Sequence, residues 1–228
     1  MNHIFTKKLM NIMIKKTIER LLSIIRYLFF EVLSPRFNAA AFKNIMDYIY
    51  VILEKFVYSF EILSQNYLKL YEETVEKEIK MANIQKYEKI LVIGCGALPA
   101  TTALIGLKTK AEITAIDYDA IAVKKAKKFI EKQRLSKKIK IEHADGHTYP
   151  LDNFDVIFIL YGVKKQELLL ENILEKIKIK TKIIFRTNQD ALDQLVGGEE
   201  FLSKIFNVKD IIESESMYTS ISYLLTKK

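Results

Sequence analysis

The chain has 228 residues, of which 50% are hydrophobic and 28% are charged, with only 7 Gly and 3 Pro. This balance excludes a largely disordered chain, and the length is enough for one α/β domain with a small accessory unit. The net charge of +8 would suit a nucleic-acid partner, but the lysines are interspersed with acids. Their densest cluster, at positions 124–128, fits a solvated helix face, so we do not expect nucleic acid as a partner.

The cysteine count and the apolar segments indicate the compartment. Cys95 is the single cysteine, which excludes an intramolecular disulfide and fits a reducing compartment. The segment 21–33 is shorter than the ~20 apolar residues of a membrane span and contains Arg26 and Glu31. We therefore expect a cytoplasmic protein without a transmembrane segment, with a peripheral amphipathic helix as the alternative.

Residues 1–85 have the pattern of an all-α region. No glycine occurs before residue 82, and apolar residues recur at helical spacing, as in Ile45, Ile49, Ile52 and Phe56. Ser34 and Pro35 suit an N-cap and a first helical position, which predicts a break between an early and a later helix.

Residues 86–228 have a different pattern, in which short apolar runs alternate with amphipathic stretches. The runs KILVIG, EITAID, IKIEHAD, DVIFILY and KIIFRT predict buried strands. The helices are predicted at Ala100–Leu107, Ala120–Gln133, Lys165–Ile177 and Ala191–Phe206. Two last segments, Val208–Glu213 and Ser220–Leu225, predict a hairpin at the sheet edge. The prediction is a doubly wound, Rossmann-like α/β domain with a mainly parallel sheet.

The turn after the first strand is the first candidate binding element. It reads Gly94, Cys95, Gly96, Ala97, Leu98 and Pro99, and a helix follows. Glycines in a strand-to-helix turn allow a ligand to approach the backbone, and the helix start offers unpaired N–H groups. Because this pattern alone also fits an ordinary tight turn, it needs support from other positions.

That support comes from residues at the ends of later strands. Asp117, with Tyr118 beside it, closes the second strand, where an acid can accept hydrogen bonds from both hydroxyls of a ribose. Asp145 and Gly146 follow the third strand, close enough to meet an adenine amino group. Tyr161 ends the fourth strand on the same side. Ligands in open α/β sheets bind beyond these carboxyl ends, so the positions predict one shared site.

The turn itself discriminates between cofactors. A dinucleotide fingerprint requires a third glycine where this chain has Pro99, which disfavours pyrophosphate binding. S-adenosylmethionine has no phosphate and needs space at the glycine turn, an acid for ribose and an adenine slot. The predicted cofactor is therefore S-adenosylmethionine. His143 and His147 flank a strand end rather than a helix face, so no metal site is predicted.

The segments VIGCGALPATT, AIDYDAIAVKKA, EHADG and FDVIFILYG resemble successive motifs of the class I S-adenosylmethionine-dependent methyltransferase superfamily. The resemblance covers Lys89 to the C-terminus and implies a Rossmann-like methyltransferase sheet. LPAT after the glycines and RTN after the fifth strand are similar to nicotianamine synthase and its relatives, which transfer an aminocarboxypropyl group. Methyl transfer to a small molecule ranks first because it is commonest in the fold. Aminocarboxypropyl transfer ranks second, and a catalytically silent binding subunit is the third alternative.

Two residues are the candidates for catalysis. Tyr161 is expected nearest the transferred group, because the end of the fourth strand borders the sulfonium in the superfamily; the alternative is a packing tyrosine. Arg186 follows the fifth strand and could hold a substrate carboxylate in a fork geometry, or pair with a protein acid such as Asp190. The expected partner is a small-molecule acceptor, and homodimer formation is left open.

Overall fold

The computed structural model describes residues 61–189, 192, 195, 198–215 and 219–228. The predictions for residues 1–60, including the helix break at Ser34, lie outside the described residues. Contacts within the chain divide it into two compact units, Met1–Asn66 and Tyr67–Lys228. The second unit contains the whole described sheet. In the described part, no helix combines the length and apolarity that a membrane crossing requires.

Helices and strands alternate along the described part. The helices are α1 (Glu61–Met81), α2 (Ala100–Lys108), α3 (Ala120–Lys132), α4 (Gln166–Lys176) and α5 (Gly198–Ile205). The strands are β1 (Lys89–Ile93), β2 (Glu112–Asp117), β3 (Ile139–His143), β4 (Val156–Ile159), β5 (Lys182–Thr187), β6 (Phe206–Glu215) and β7 (Thr219–Lys227). The five short apolar runs of the sequence are thus the first five strands.

These strands form one seven-stranded sheet in the order β3-β2-β1-β4-β5-β7-β6. The first five are parallel, and β7 pairs antiparallel with both β5 and β6. The order reverses next to β1, which creates the crevice where ligands bind in open α/β sheets. The predicted fold class, a doubly wound Rossmann-like sheet with a closing hairpin, is confirmed.

Apolar burial explains why these runs become central strands. All residues of β4 and the last four residues of β1 are buried, as expected when helices cover both faces of a parallel sheet. Helix α3 buries one stripe, made of Ala122, Val123, Ala126, Phe129 and Ile130, and exposes most of its lysines. The lysine cluster of the sequence is therefore a largely solvated helix face, as predicted.

Residues 67–81 of α1 belong to the second unit and contact its other elements through polar groups. The Lys108 ammonium of α2 lies 2.7 Å from Glu72 and 2.6 Å from Glu76. The hydroxyls of Thr74 and Ser214 lie 2.6 Å apart in the interior, which joins α1 to β6.

The prediction was wrong at one helix end. Phe206, expected to end the helix Ala191–Phe206, instead begins β6, and the described helix here is Gly198–Ile205. Phe206 is 1% exposed and pairs with Lys227, so sheet pairing and burial outweigh the helical pattern that precedes it.

Tyr223 of β7 is a buried titratable group. It is 2% exposed and its ring lies 6.5 Å from that of Phe185. Burial, followed by the charges of Glu199 and Glu213, raises the pKa of Tyr223 from 10.0 to about 12. Because the folded protein then holds the phenolic proton more tightly than the unfolded chain, this stabilisation is complete below pH 10 and is lost as the pH rises towards 12.

Replacing Tyr223 by phenylalanine should therefore reduce the alkaline loss of stability. The decline in the free energy of unfolding between pH 10 and pH 12, measured by urea titration, should be smaller than in the wild type by about 2 kcal/mol. Tyr87, which is 85% exposed, provides the matched control, and Tyr87→Phe should follow the wild type. If the free energy of unfolding of wild type and Tyr223→Phe fell identically between pH 10 and pH 12, the raised pKa of Tyr223 would be contradicted.

Candidate functional site

The glycine turn between β1 and α2 has a left-handed backbone at both glycines. Gly94 has a φ of 79° and Gly96 a φ of 67°, values that residues with a Cβ rarely adopt. The backbone N–H groups of Gly94 and Cys95 both donate to the carbonyl of Ile116, at 2.9 and 3.1 Å. The turn is therefore fixed to the end of β2, beside Asp117.

Asp117 braces this turn with its carboxylate. Oδ2 accepts a hydrogen bond of 2.8 Å from the Gly96 N–H, and Oδ1 accepts one of 3.0 Å from the Asp119 N–H. Asp117 is 9% exposed, so the carboxylate is held within the crevice. A carboxylate has about four acceptor positions, which leaves capacity for ribose hydroxyls.

Asp145 lies beyond the next strand and forms a dyad with a histidine. Its Oδ1 is 2.9 Å from the backbone nitrogen of His147 and 2.8 Å from the ring Nδ1. The bond from the His147 N–H, followed by the bond to the ring, holds the pKa of Asp145 below its ordinary value. Asp145 is therefore a carboxylate at neutral pH and can accept from an adenine amino group. Gly146 packs closely here, since a Cβ on it would lie 2.6 Å from Ile93.

The segment after β4 completes the site. Tyr161 is half-buried, and its carbonyl accepts a bond of 3.1 Å from the Gln166 side chain. A Cβ on Gly94 would lie 2.7 Å from Val163, so this segment packs directly against the glycine turn. Tyr161 thus lies in the segment that borders the turn, and its place at the site and its catalytic role stay predictions.

Tyr118 and Lys164 face one another from the ends of β2 and β4. Tyr118 is 62% exposed, and the Lys164 ammonium lies 5.7 Å from the centre of its ring. An exposed aromatic face next to Asp117 suits stacking by an adenine ring. Nothing in the sequence distinguishes Lys164, the neighbour of Tyr118, from the many other lysines of the chain.

Arg186 is not available in the way the sequence analysis expected. Its guanidinium is 3% exposed and forms a bidentate pair with Glu78, with Nε to Oε1 at 2.8 Å and Nη2 to Oε2 at 2.5 Å. The carboxylate in its fork is therefore the protein's own, which does not support substrate binding by Arg186. The alternative of a protein acid is favoured, with Glu78 in place of Asp190, which lies outside the described residues.

The other predicted turn residues lie in the interior. Cys95, Ala97 and Leu98 are between 3% and 5% exposed, and their role in cofactor binding stays a prediction. Asp155 lies at the opposite edge of the sheet, where it accepts a bond from the Lys89 N–H.

Within the part of the chain that the structure describes, no group of three or more His, Cys, Asp or Glu residues could hold a metal ion. His143 instead bonds the Tyr118 carbonyl at 2.8 Å.

The family comparison agrees with this geometry. A family model described as "Methyltransferase domain" matches residues 84–225, which is more than half of the chain. The chain belongs to this methyltransferase-domain family. The predicted superfamily is thereby confirmed, and with it S-adenosylmethionine as the cofactor. The braced glycine turn, the carboxylates of Asp117 and Asp145 and the exposed Tyr118 ring fit that cofactor.

Several individual proteins are also similar to this chain. L-histidine 2-aminobutanoyltransferase of Yersinia pestis is 27% identical over 125 residues, which are 54% of this chain and 46% of that protein. The chain thus spans about half the length of this curated relative. A variant of MtNAS, a nicotianamine synthase, in complex with S-adenosylmethionine has a TM-score of 0.68 at 18% identity, over 90% of this chain and 77% of that chain. An RNA methyltransferase from Salinibacter ruber, in complex with S-adenosylhomocysteine, has a TM-score of 0.54 at 14% identity, over 68% and 90% of the two chains. These structural likenesses show the fold.

Proposed function

We propose that this enzyme transfers the aminocarboxypropyl group of S-adenosylmethionine to a nitrogen of a small-molecule acceptor. The observation that carries the proposal is the similarity to L-histidine 2-aminobutanoyltransferase, whose name specifies transfer of a four-carbon amino-acid group. From the sequence alone, this reaction ranked second, after methyl transfer. The segments LPAT and RTN resemble nicotianamine synthase, and this resemblance rests on other evidence than the similarity to the Yersinia pestis protein. It supports ranking aminocarboxypropyl transfer before methyl transfer.

The site supports the cofactor part of this proposal in three places. Asp117, at the end of β2, holds the ribose, and Asp145 accepts from the adenine amino group. Tyr118 stacks on the base. The methionine end of the cofactor then lies against the turn Gly94–Leu98, whose glycines leave space beside the backbone.

The reaction needs alignment more than activation. A sulfonium group supplies carbon atoms that are already electrophilic. The acceptor nitrogen forms a bond to the aminocarboxypropyl carbon next to sulfur, while the carbon–sulfur bond breaks and its electron pair stays on sulfur. The products are methylthioadenosine and the substituted acceptor, and the nitrogen loses a proton to a base or to water. The enzyme contributes in-line alignment and exclusion of water, and Tyr161 is the side chain we place next to the acceptor.

Methyl transfer is the second candidate, favoured by the description of the matched family. The same bound cofactor would then present its methyl carbon to the acceptor. The two reactions differ in the sulfur product, because methyl transfer leaves S-adenosylhomocysteine. A silent binding subunit would form neither product.

The deciding experiment is product analysis by mass spectrometry. The purified full chain is incubated with S-adenosylmethionine and with L-histidine, other amino acids or a metabolite extract as acceptors. We expect methylthioadenosine to accumulate in an acceptor-dependent manner. Acceptor-dependent S-adenosylhomocysteine would instead establish methyl transfer and reject the proposed group.

Spontaneous decay of the cofactor also releases methylthioadenosine, so a control is essential. The variant Asp117→Asn, incubated under the same conditions, sets the background without a functional ribose site. A product level equal to this background with every acceptor would contradict transfer by this protein. Cytoplasmic location and a small-molecule acceptor belong to the same proposal.

A further inference from the structure

A buried ion pair lies between α1 and the carboxyl end of β5. Glu78 is 0% exposed and Arg186 is 3% exposed, and two hydrogen bonds join them in a fork geometry. Neither residue lies on the glycine turn, and the proposed reaction assigns no role to Glu78. The pair therefore needs an explanation of its own.

Two hydroxyl groups extend the pair to further elements. Ser222 of β7 donates a bond of 2.7 Å to Glu78 Oε1, and it is the β-sheet partner of Arg186. Arg186 Nη1 donates a bond of 2.9 Å to the hydroxyl of Thr101. Thr101 and Ser222 are 4% and 1% exposed. We call Glu78, Arg186, Thr101 and Ser222 the buried network.

Stability alone is a weak reason for such a network. Desolvation of two charges offsets most of their attraction, and well-packed apolar residues of similar volume often serve as well or better. What a bidentate pair does provide is a fixed relative position of the elements that carry it. The buried network fixes α1, β5 and β7 relative to the first turn of α2.

The position of α2 matters because it carries the glycine turn. Thr101 is the second residue of α2, and the proposed cofactor contacts end at Leu98, so the hydrogen bond to Thr101 lies within one helical turn of those contacts. Residues 100–106 of this helix are all buried, which makes it a packed, unyielding element. A shift of its first turn would move the backbone of Ala97 and Leu98.

We propose that the Glu78–Arg186 pair, acting through Thr101, is a positioning device that sets the glycine turn against the methionine end of S-adenosylmethionine. The inference rests on the proposed placement of the cofactor. Glu78, Arg186 and Thr101 are positioning residues and do not touch the reacting atoms. The adenosine end is held separately, by Asp117 and Asp145.

The test compares two ligands that differ only at the positioned end. Methylthioadenosine contains the adenosine part of S-adenosylmethionine but lacks the aminocarboxypropyl group. Thr101→Val removes the hydroxyl with little change in shape, so the dissociation constant for S-adenosylmethionine should rise roughly tenfold, as for one lost hydrogen bond. The dissociation constant for methylthioadenosine should change less than about twofold. Both are measured by calorimetry on the full chain.

Thr102 offers a matched control on the same helix. It is 0% exposed, and its hydroxyl has no hydrogen-bond partner among the residues described by the structure. Thr102→Val is the same substitution one position along and should leave both dissociation constants unchanged. Thr101→Ser keeps the hydroxyl and should restore the affinity for S-adenosylmethionine.

The outcomes separate the inference from the proposed function. Equal weakening of both ligands in Thr101→Val would show a merely structural role and overturn the inference, as would unchanged binding of both. Both results leave the proposed function intact. Failure of the wild-type chain to bind either ligand would overturn the proposed site and the inference with it.

Discussion

Replacing Glu78 by leucine should lower the free energy of unfolding by roughly 3–5 kcal/mol. The change removes the carboxylate that holds the guanidinium of Arg186, which is 3% exposed and cannot reach water without rearrangement. A buried, uncompensated charge is among the largest single-residue penalties in a folded protein. The measurement is urea unfolding of the full chain, followed by circular dichroism.

Two further variants identify the cause of this loss. The double variant Glu78→Leu/Arg186→Met removes both charges and should recover most of the lost free energy, because no unpaired charge remains. Glu76→Gln changes a half-exposed acid on the same helix that pairs with Lys108, and it should lower the free energy of unfolding much less than Glu78→Leu does. A double variant no more stable than Glu78→Leu would show that the loss comes from packing and not from charge.

Glu78 illustrates what sequence could not predict. Glutamates stand at positions 72, 73, 76 and 78 of one helix, and all are equally plausible as solvated residues. Only the packing of α1 against β5 and β7 decides that Glu78 is enclosed while Glu76 remains in solvent. Arg186 was expected to hold a substrate carboxylate or to pair with Asp190, whereas its carboxylate partner is Glu78, 108 positions away.

The strand ends were more predictable because their position follows from topology. In a parallel sheet the carboxyl ends of all strands lie at one edge, so the order of apolar runs already places Asp117, Asp145 and Tyr161 together. The hydrogen bond from the Gly96 N–H to Asp117 could not be read from sequence, since it depends on the left-handed backbone of the turn. The predicted helix end at Phe206 was wrong because the helical periodicity of the preceding residues continues into Phe206, which the sheet buries.

Replacing Asp117 by asparagine should weaken S-adenosylmethionine binding about 100-fold or more. The carboxylate accepts from the N–H groups of Gly96 and Asp119, and an amide offers only one acceptor atom for these two donors. The NH2 group of the new side chain would therefore face one of these backbone N–H groups, and two donors cannot form a hydrogen bond. This disturbs the turn and removes an acceptor for the ribose. The loss of two charge-assisted hydrogen bonds from the ribose hydroxyls to the carboxylate, at roughly 1.5–3 kcal/mol each, accounts for the expected loss of affinity.

Asp119 provides the control, because it caps α3 through a bond of 2.8 Å from the Ile121 N–H and lies two residues from Asp117. Asp119→Ser keeps a capping oxygen and should bind S-adenosylmethionine like the wild type. The loss in Asp117→Asn should extend to methylthioadenosine, since both ligands contain the ribose, whereas Thr101→Val should weaken S-adenosylmethionine alone. A loss under about threefold in Asp117→Asn, or one confined to S-adenosylmethionine, would contradict the assignment of Asp117 to the ribose.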